Sequence, residues 1–317
     1  MILDDASFVA KDYVVWLKRR TFLLIFTSVT AFMLPIMLLK AVFHRFRGTG
    51  WFADPRGTPS FFQYARGMLQ LLTGAFVLRT KQATEEAYAA AKSSPTRGSG
   101  DGVTVQLMDD YLEFQPPGTG GADGDKALVG VIIFPGAFVS PFAYSIVART
   151  LARRGYPCFI LRLPFDLAYY GWATAGKIIK RPLKEDRPVP PTKWVLVGHS
   201  LGTTGVELFT QARPECVNGV VFIGSSTGLT GKLTDIDLPS LVIWGSRDPF
   251  TSKKDMLAAM DKLPKGTETC VVEGGNHGGF ASYARQFLDW EATITPDEQQ
   301  GAAVEAITEF IERKVVV

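Results

Sequence analysis

The chain has 317 residues, 46% of them hydrophobic and 21% charged, enough apolar material for one large core and too much for a disordered chain. A net charge of +3 with no dense basic stripe argues against a nucleic-acid partner. Cys158, Cys216 and Cys270 are odd in number and far apart, so free thiols are expected rather than a disulfide framework or a zinc site, with Cys158 and Cys270 buried in strand-like runs.

Residues 22–39 form an uncharged run of eighteen residues, the lower limit for a helix that crosses a bilayer. Lys18, Arg19 and Arg20 precede it, and Lys40, His44, Arg45 and Arg47 follow, so basic side chains can snorkel at both ends and the orientation stays open. A long leading region with three aspartates and no small-residue cleavage site disfavours a signal peptide. Pro35 kinks such a helix, which membrane helices tolerate. A second apolar stretch, 68–78, is too short to span and fits an interfacial segment or a docked helix. Residues 81–92 are rich in Ala, Glu and Lys and read as helical, and the Ser/Gly/Pro-rich stretch 93–102 reads as a linker. The resulting division is an amino-terminal segment 1–20, a transmembrane anchor 21–43, a juxtamembrane helical region 44–92, the linker 93–102 and a carboxy-terminal domain 103–317.

Beyond the linker, strand-like and helix-like segments alternate. Residues 103–114 suggest an opening strand or hairpin, and 128–134 is a continuous apolar run suited to a parallel strand covered on both faces. Ser140-Pro141 offers an N-cap and a first-turn proline for a helix reaching Arg153-Arg154-Gly155. Further buried strands are expected at 158–161, 194–197, 220–223, 241–244 and 270–272. Thr295-Pro296-Asp297-Glu298 is a capping box, and Val304, Ile307 and Ile311 then share one helical face. This alternation predicts an α/β fold, a mainly parallel sheet with helices on both sides.

Reactive loops of such sheets lie at the carboxyl ends of the strands. The strand ending at Val197 runs into Gly198-His199-Ser200-Leu201-Gly202, a Gly-x-Ser-x-Gly nucleophile elbow followed by a helix-like segment. Asp248 follows the strand 241–244, and His277 stands in a glycine-rich loop after 270–272. Chain order is Ser200, Asp248, His277, that of elbow hydrolases. A serine hydroxyl is a poor nucleophile; His277 would take its proton, and Asp248 would fix the imidazole tautomer and stabilise the imidazolium. Of the three histidines, His44 flanks the membrane run and His199 sits at the variable elbow position, pointing elsewhere, so His277 is the base. The amides of Leu201 and Ala137, the latter in the loop Pro135-Gly136-Ala137-Phe138-Val139, are the expected oxyanion donors. No cofactor or metal is called for.

From about residue 103 onward the chain resembles the α/β-hydrolase superfamily, and more narrowly the compact hydrolases related to dienelactone hydrolase. The resemblance rests on the Phe-Pro-Gly loop at 134–136, Arg-Leu-Pro-Phe-Asp-Leu-Ala at 162–168, Gly-His-Ser-Leu-Gly, Gly-Ser-Arg-Asp at 245–248, Gly-Gly-Asn-His at 274–277, and Gln299-Gln300. Ala137 departs from it where a second glycine is common, as do Thr203 and Thr204 after the elbow. The resemblance implies serine hydrolase chemistry. Only about seventeen residues separate the strands 220–223 and 241–244, too few for a large lid, so 164–191, with Tyr169, Tyr170, Trp172 and the basic run 177–187, is the alternative wall. Its aromatics suit either an acyl pocket or a helix packed on the sheet, and its cations suit lipid headgroups or a solvated face. The expected function is a membrane-anchored ester hydrolase acting on a small-molecule or lipid ester. Thioester or carbon–carbon bond hydrolysis by the same triad is an alternative, as is a non-catalytic binding protein of this fold, although the latter usually lacks one of the three residues.

Overall fold

The structure, a computed structural model, describes residues 81–92, 101–117, 128–181, 191–225 and 233–316, positions 252 and 287 excepted. The chain divides after Arg79, and the second unit runs from Thr80 to Val317. The expected anchor 21–43, the stretch 68–78 and most of the linker lie outside the described residues. Among the described residues no helix is long and apolar enough to cross a membrane.

An eight-stranded sheet forms the centre of the unit. In chain order its strands are β1 (Thr104–Leu107), β2 (Tyr111–Gln115), β3 (Val129–Phe134), β4 (Cys158–Leu161), β5 (Lys193–His199), β6 (Gly219–Ile223), β7 (Ser240–Gly245) and β8 (Glu268–Val272). Their spatial order is β1-β2-β4-β3-β5-β6-β7-β8. The expected hairpin β1–β2 is antiparallel, β2 pairs antiparallel with β4, and every pair from β4 to β8 is parallel. Strands β3 to β7 are buried over almost their whole length, which is why they read as unbroken apolar runs. Strand β8 ends the sheet and is half-exposed; Cys270 is therefore intermediate in burial, against the expectation, while Cys158 is buried.

The helices, in chain order, are α1 (Glu85–Ala90), α2 (Ser145–Arg153), α3 (Ala168–Gly171), α4 (Thr174–Ile179), α5 (Gly202–Ala212), α6 (Lys253–Ala259) and α7 (Pro296–Lys314). One core joins Ile132, Phe134, Phe159, Leu196, Phe222 and Trp244 of the sheet to Ala168, Ile178, Val206, Phe209 and Met256 of α3 to α6. Helices α2 and α7 contact the sheet outside that cluster, so they cover the opposite face. The expected α7 stripe is realised: Val304, Ile307 and Ile311 are at most 1% exposed, as is Phe310. Burying such a side chain contributes roughly 1.5–3 kcal/mol. The capping box forms as expected, with Thr295 accepting from the Glu298 amide and Glu298 accepting from the Thr295 amide. Ser140 does not cap: a short 3₁₀ turn, Pro141–Tyr144, precedes α2, and the Ser140 hydroxyl makes no cap bond.

Residues 81–92 are part of the unit that begins at Thr80. The Lys81 amide donates to the Phe138 carbonyl (2.8 Å), the Ser140 amide to the Lys81 carbonyl (3.0 Å), and the Thr84 amide to the Ser282 carbonyl (3.0 Å). Arg149 of α2 donates to the Ala90 and Lys92 carbonyls at and just past the end of α1 and holds Asp101 through two 2.8 Å bonds. The domain therefore begins ahead of the expected linker, because backbone pairing of 81–84 with loops far along the chain leaves no local signature.

Candidate active site

β3 connects to β4 on one side, whereas its other neighbour β5 connects to β6 on the opposite side, so the strand order reverses between β3 and β5. The loops at the carboxyl ends of β3 and β5 diverge there and leave a crevice, the favoured ligand position in such sheets. These loops are Pro135–Val139 and the elbow at Ser200.

Ser200 has φ of +52°, a conformation costly for a residue with a side chain and held by its surroundings. Its amide donates to the Ile223 carbonyl (2.8 Å), and its carbonyl accepts from the Thr203 amide (3.1 Å) and the Thr203 hydroxyl (2.7 Å). Thr203, a departure from the resemblance, thus closes the elbow. The two glycines permit the turn: a Cβ on Gly198 would meet the Thr203 backbone at 2.7 Å, and one on Gly202 would overlap the Phe134 carbonyl.

Asp248 and His277 are brought together as expected. His277 Nδ1 lies 2.8 Å from Asp248 Oδ2, and the two residues are 3% and 5% exposed. Asp248 Oδ1 accepts from the amides of Phe250 (2.8 Å) and Thr251 (3.1 Å), so the Asp-Pro turn itself holds the carboxylate. The Thr251 hydroxyl donates to the Gly224 carbonyl (2.7 Å). Gly224 ties the pair to the serine: it follows Ile223, which holds the Ser200 amide, and a Cβ on it would lie 3.1 Å from His277 Nδ1 and 3.4 Å from Asp248 Oδ2. Phe250 packs edge-on against His277, ring centroids 5.0 Å apart. Among the described residues no hydrogen bond joins Ser200 Oγ to His277 Nε2, and that nitrogen is unengaged; such bonds are often long until substrate binds.

In the β3 loop the Gly136 amide donates to the Tyr144 hydroxyl (2.9 Å), Phe138 to the Asp166 carbonyl (3.0 Å), and Val139 to the Gly136 carbonyl (3.3 Å). The amides of Ala137 and Leu201 have no intramolecular acceptor among the described residues, and both residues are half-buried. Phe138 (φ +55°) and Asp166 (φ +51°) share the left-handed conformation of Ser200, so backbone strain gathers around this loop.

Several residues at the site have contacts that the sequence does not show. The His277 amide donates to Asp289 Oδ1 (3.2 Å) and the Gly278 amide to Oδ2 (2.7 Å); burial raises the Asp289 carboxyl above its ordinary value. Gln299 brackets Asn276, accepting from its amide (3.1 Å) and donating to its carbonyl (2.7 Å). Lys81 Nζ donates to Gln286 (2.9 Å) and lies 5.4 Å from the Tyr283 ring, and burial lowers its ammonium to about 8. His199 does not point away from the site. It is 1% exposed, Nδ1 lies 2.7 Å from the Tyr144 hydroxyl, and Nε2 lies 3.0 Å from the His277 carbonyl. Burial, then the nearby charge of His277, pushes its pKa well below the ordinary value.

The aromatic segment after β4 packs on the sheet side. Trp172 meets Phe209 of α5 with centroids 6.4 Å apart, while Tyr169 and Tyr170 are exposed. Lys177 pairs with Asp110 (2.7 Å) and Arg181 with buried Glu113 (2.7 Å), Lys180 is exposed, and residues 182–187 of the basic run lie outside the described residues. A cavity of about 510 Å³ opens beside the His277 loop between Asn276, Tyr283, Asp289 and Gln299, but Ser200, Asp248 and His277 do not line it.

The sheet, its crossovers and the strand-to-helix elbow define an α/β-hydrolase fold. The chain belongs to the alpha/beta hydrolase family, whose profile matches residues 130–301, more than half of its length. Among solved structures it is similar to Est1E from Butyrivibrio proteoclasticus (13% identity, covering 68% of this chain and 100% of that one, TM-score 0.48). It is also similar to dienelactone hydrolase from Anabaena variabilis (16%, 67% and 99%, TM-score 0.48) and to alpha/beta hydrolase domain-containing protein 10 from mouse (11%, 67% and 98%, TM-score 0.44). No curated protein matches the sequence significantly.

Proposed function

We propose that the protein is a membrane-anchored serine hydrolase that cleaves a carboxylic ester through an acyl-enzyme. The observation that carries this reading is the 2.8 Å bond from His277 Nδ1 to Asp248 Oδ2, set beside a serine held at φ +52°. Ser200 Oγ attacks the ester carbonyl carbon and passes its proton to His277 Nε2. Asp248 holds the opposite ring nitrogen and stabilises the imidazolium. The new oxyanion lies between the amides of Ala137 and Leu201, which have no other acceptor among the described residues. Collapse breaks the bond to the alcohol, which leaves with the proton from His277. Water, deprotonated by His277, then attacks the acyl-serine, and the carboxylic acid departs as Ser200 regains its proton.

The uncharged run 22–39 with basic residues at both ends supports a membrane tether, and with it a lipid or acyl ester drawn from the bilayer. Turnover of a p-nitrophenyl ester series of increasing acyl length tests the reaction. Ser200→Ala is expected to lower kcat by at least about 10³-fold, and retained turnover contradicts the reading. Alkaline carbonate extraction tests the tether: full-length protein stays in the membrane fraction, and its release contradicts the anchor.

A further inference from the structure

Resting on this catalytic reading, we propose that Tyr144 and His199 are positioning residues: one buried hydrogen-bond chain ties the oxyanion loop to the base loop and holds both in register with Ser200. The chain runs from the Gly136 amide to the Tyr144 hydroxyl (2.9 Å), from there to His199 Nδ1 (2.7 Å), and from His199 Nε2 to the His277 carbonyl (3.0 Å). Tyr144, His199 and His277 are each at most 3% exposed, so water does not substitute for a missing partner.

The two ends set its direction. A backbone amide only donates and a carbonyl only accepts, so His199 must carry its proton on Nε2. Nδ1 of that neutral imidazole is then an acceptor, and the Tyr144 hydroxyl must donate to it while receiving the Gly136 amide. Packing fixes the ring as well, edge-on to Tyr144 at 5.8 Å and against Phe280 at 6.1 Å. Glycine at 136 permits the approach: a Cβ there would sit 3.3 Å from the Tyr144 oxygen and 3.4 Å from His199 Nδ1.

Two consequences bear on the reaction. Engaging the Gly136 amide turns it away from the substrate and leaves the neighbouring Ala137 amide as the donor of that loop. His277 is held at three points, its carbonyl by His199, its amide by Asp289 and Nδ1 by Asp248, so that only Nε2 is open. The His199 and His277 rings lie 5.1 Å apart, so a neutral His199 also spares the imidazolium of His277 a neighbouring cation.

The test uses the full chain with Tyr144→Phe, His199→Leu, His199→Gln and the double variant Tyr144→Phe/His199→Leu, each checked by thermal unfolding. Tyr144→Phe is expected to lower kcat about 10–100-fold with KM changed by less than about two-fold, since alignment in the transition state is what is lost. His199→Leu falls similarly, and the double variant is no worse than the weaker single one by more than about three-fold, because one chain is broken once. Glutamine, with an acceptor and a donor at comparable spacing, recovers most of the loss. Nitrogen-15 spectra of the histidines give a readout independent of activity: His199 is a single Nε2–H tautomer in the wild type. An Nδ1–H tautomer, single variants within about two-fold of wild type, multiplicative losses, or glutamine as harmful as leucine overturn the proposal. Undiminished turnover by Ser200→Ala would instead remove the catalytic reading beneath it.

Discussion

His277 and Asp289 are joined through the backbone of the histidine rather than through its ring: Oδ1 of Asp289 accepts from the His277 amide at 3.2 Å. Oδ2 takes the next amide, that of Gly278, at 2.7 Å, so one carboxylate caps the turn that carries His277. Asp289 is 5% exposed. Asp289→Ala leaves two amides without an acceptor and is expected to cost roughly 1–3 kcal/mol of stability. It should also lower kcat more than it raises KM, because the base loses its aim. Chemical denaturation and steady-state kinetics check both; a variant with wild-type stability and kcat contradicts the assignment.

The strap formed by residues 81–84 gives a second prediction. It pairs with Phe138 and Ser140 beside the oxyanion loop and with Ser282 beyond the base loop. A truncated chain beginning at Thr80 is expected to fold and turn over an ester like the full chain. One beginning at residue 93 should lose stability and most of its activity, since the strap's bonds and the Arg149 contacts to Ala90 and Lys92 go with it. Equal activity of the two truncations would show that the strap does not support the site.

A third prediction concerns pH. The native pKa of His199 is lowered, chiefly by burial, so below about 6.5 the unfolded chain takes up a proton that the native state refuses. Stability therefore falls as pH drops, by about 1.4 kcal/mol per unit until the native pKa is reached. The groups facing the ring are Tyr144, His277 and Phe280, with the charge of Lys81 adding to the effect. Asp101 acts lower on the scale. Its carboxyl is depressed mainly by the hydrogen bond from Arg149, and its contribution is lost only below about 3.8. Denaturation midpoints at pH 7.5, 6.5 and 5.5 check the slope, which His199→Gln should flatten. An equal slope in that variant assigns the effect elsewhere.

The parts of the site that are legible in the sequence are those with local signals. Ser200 lies between glycines that the elbow requires, and Asp248 and His277 each follow a strand by a few residues, so strand ends place all three. The sheet is legible because strands covered on both faces must be continuously apolar. Asp289, Tyr144 and the strap at Lys81 carry no such signal, since their roles arise from partners brought close only by the fold. Asp289 reaches His277 across 12 positions, Tyr144 reaches His199 across 55, and His199 reaches His277 across 78. The role of His199 is hidden for a related reason: the elbow pattern leaves that position variable, and nothing nearby in sequence announces its two buried partners. Ser140 has the appearance of an N-cap because Ser-Pro is a helix-start signal, but a 3₁₀ turn takes up that start.

Ser200, activated by His277 and Asp248, is the proposed nucleophile. Treatment with a fluorophosphonate probe, followed by peptide mass spectrometry to locate the adduct, tests this most directly. A single adduct is expected on Ser200, absent in Ser200→Ala and slow to form in His277→Ala. No adduct on the folded wild type, or one that persists in Ser200→Ala, would contradict that role.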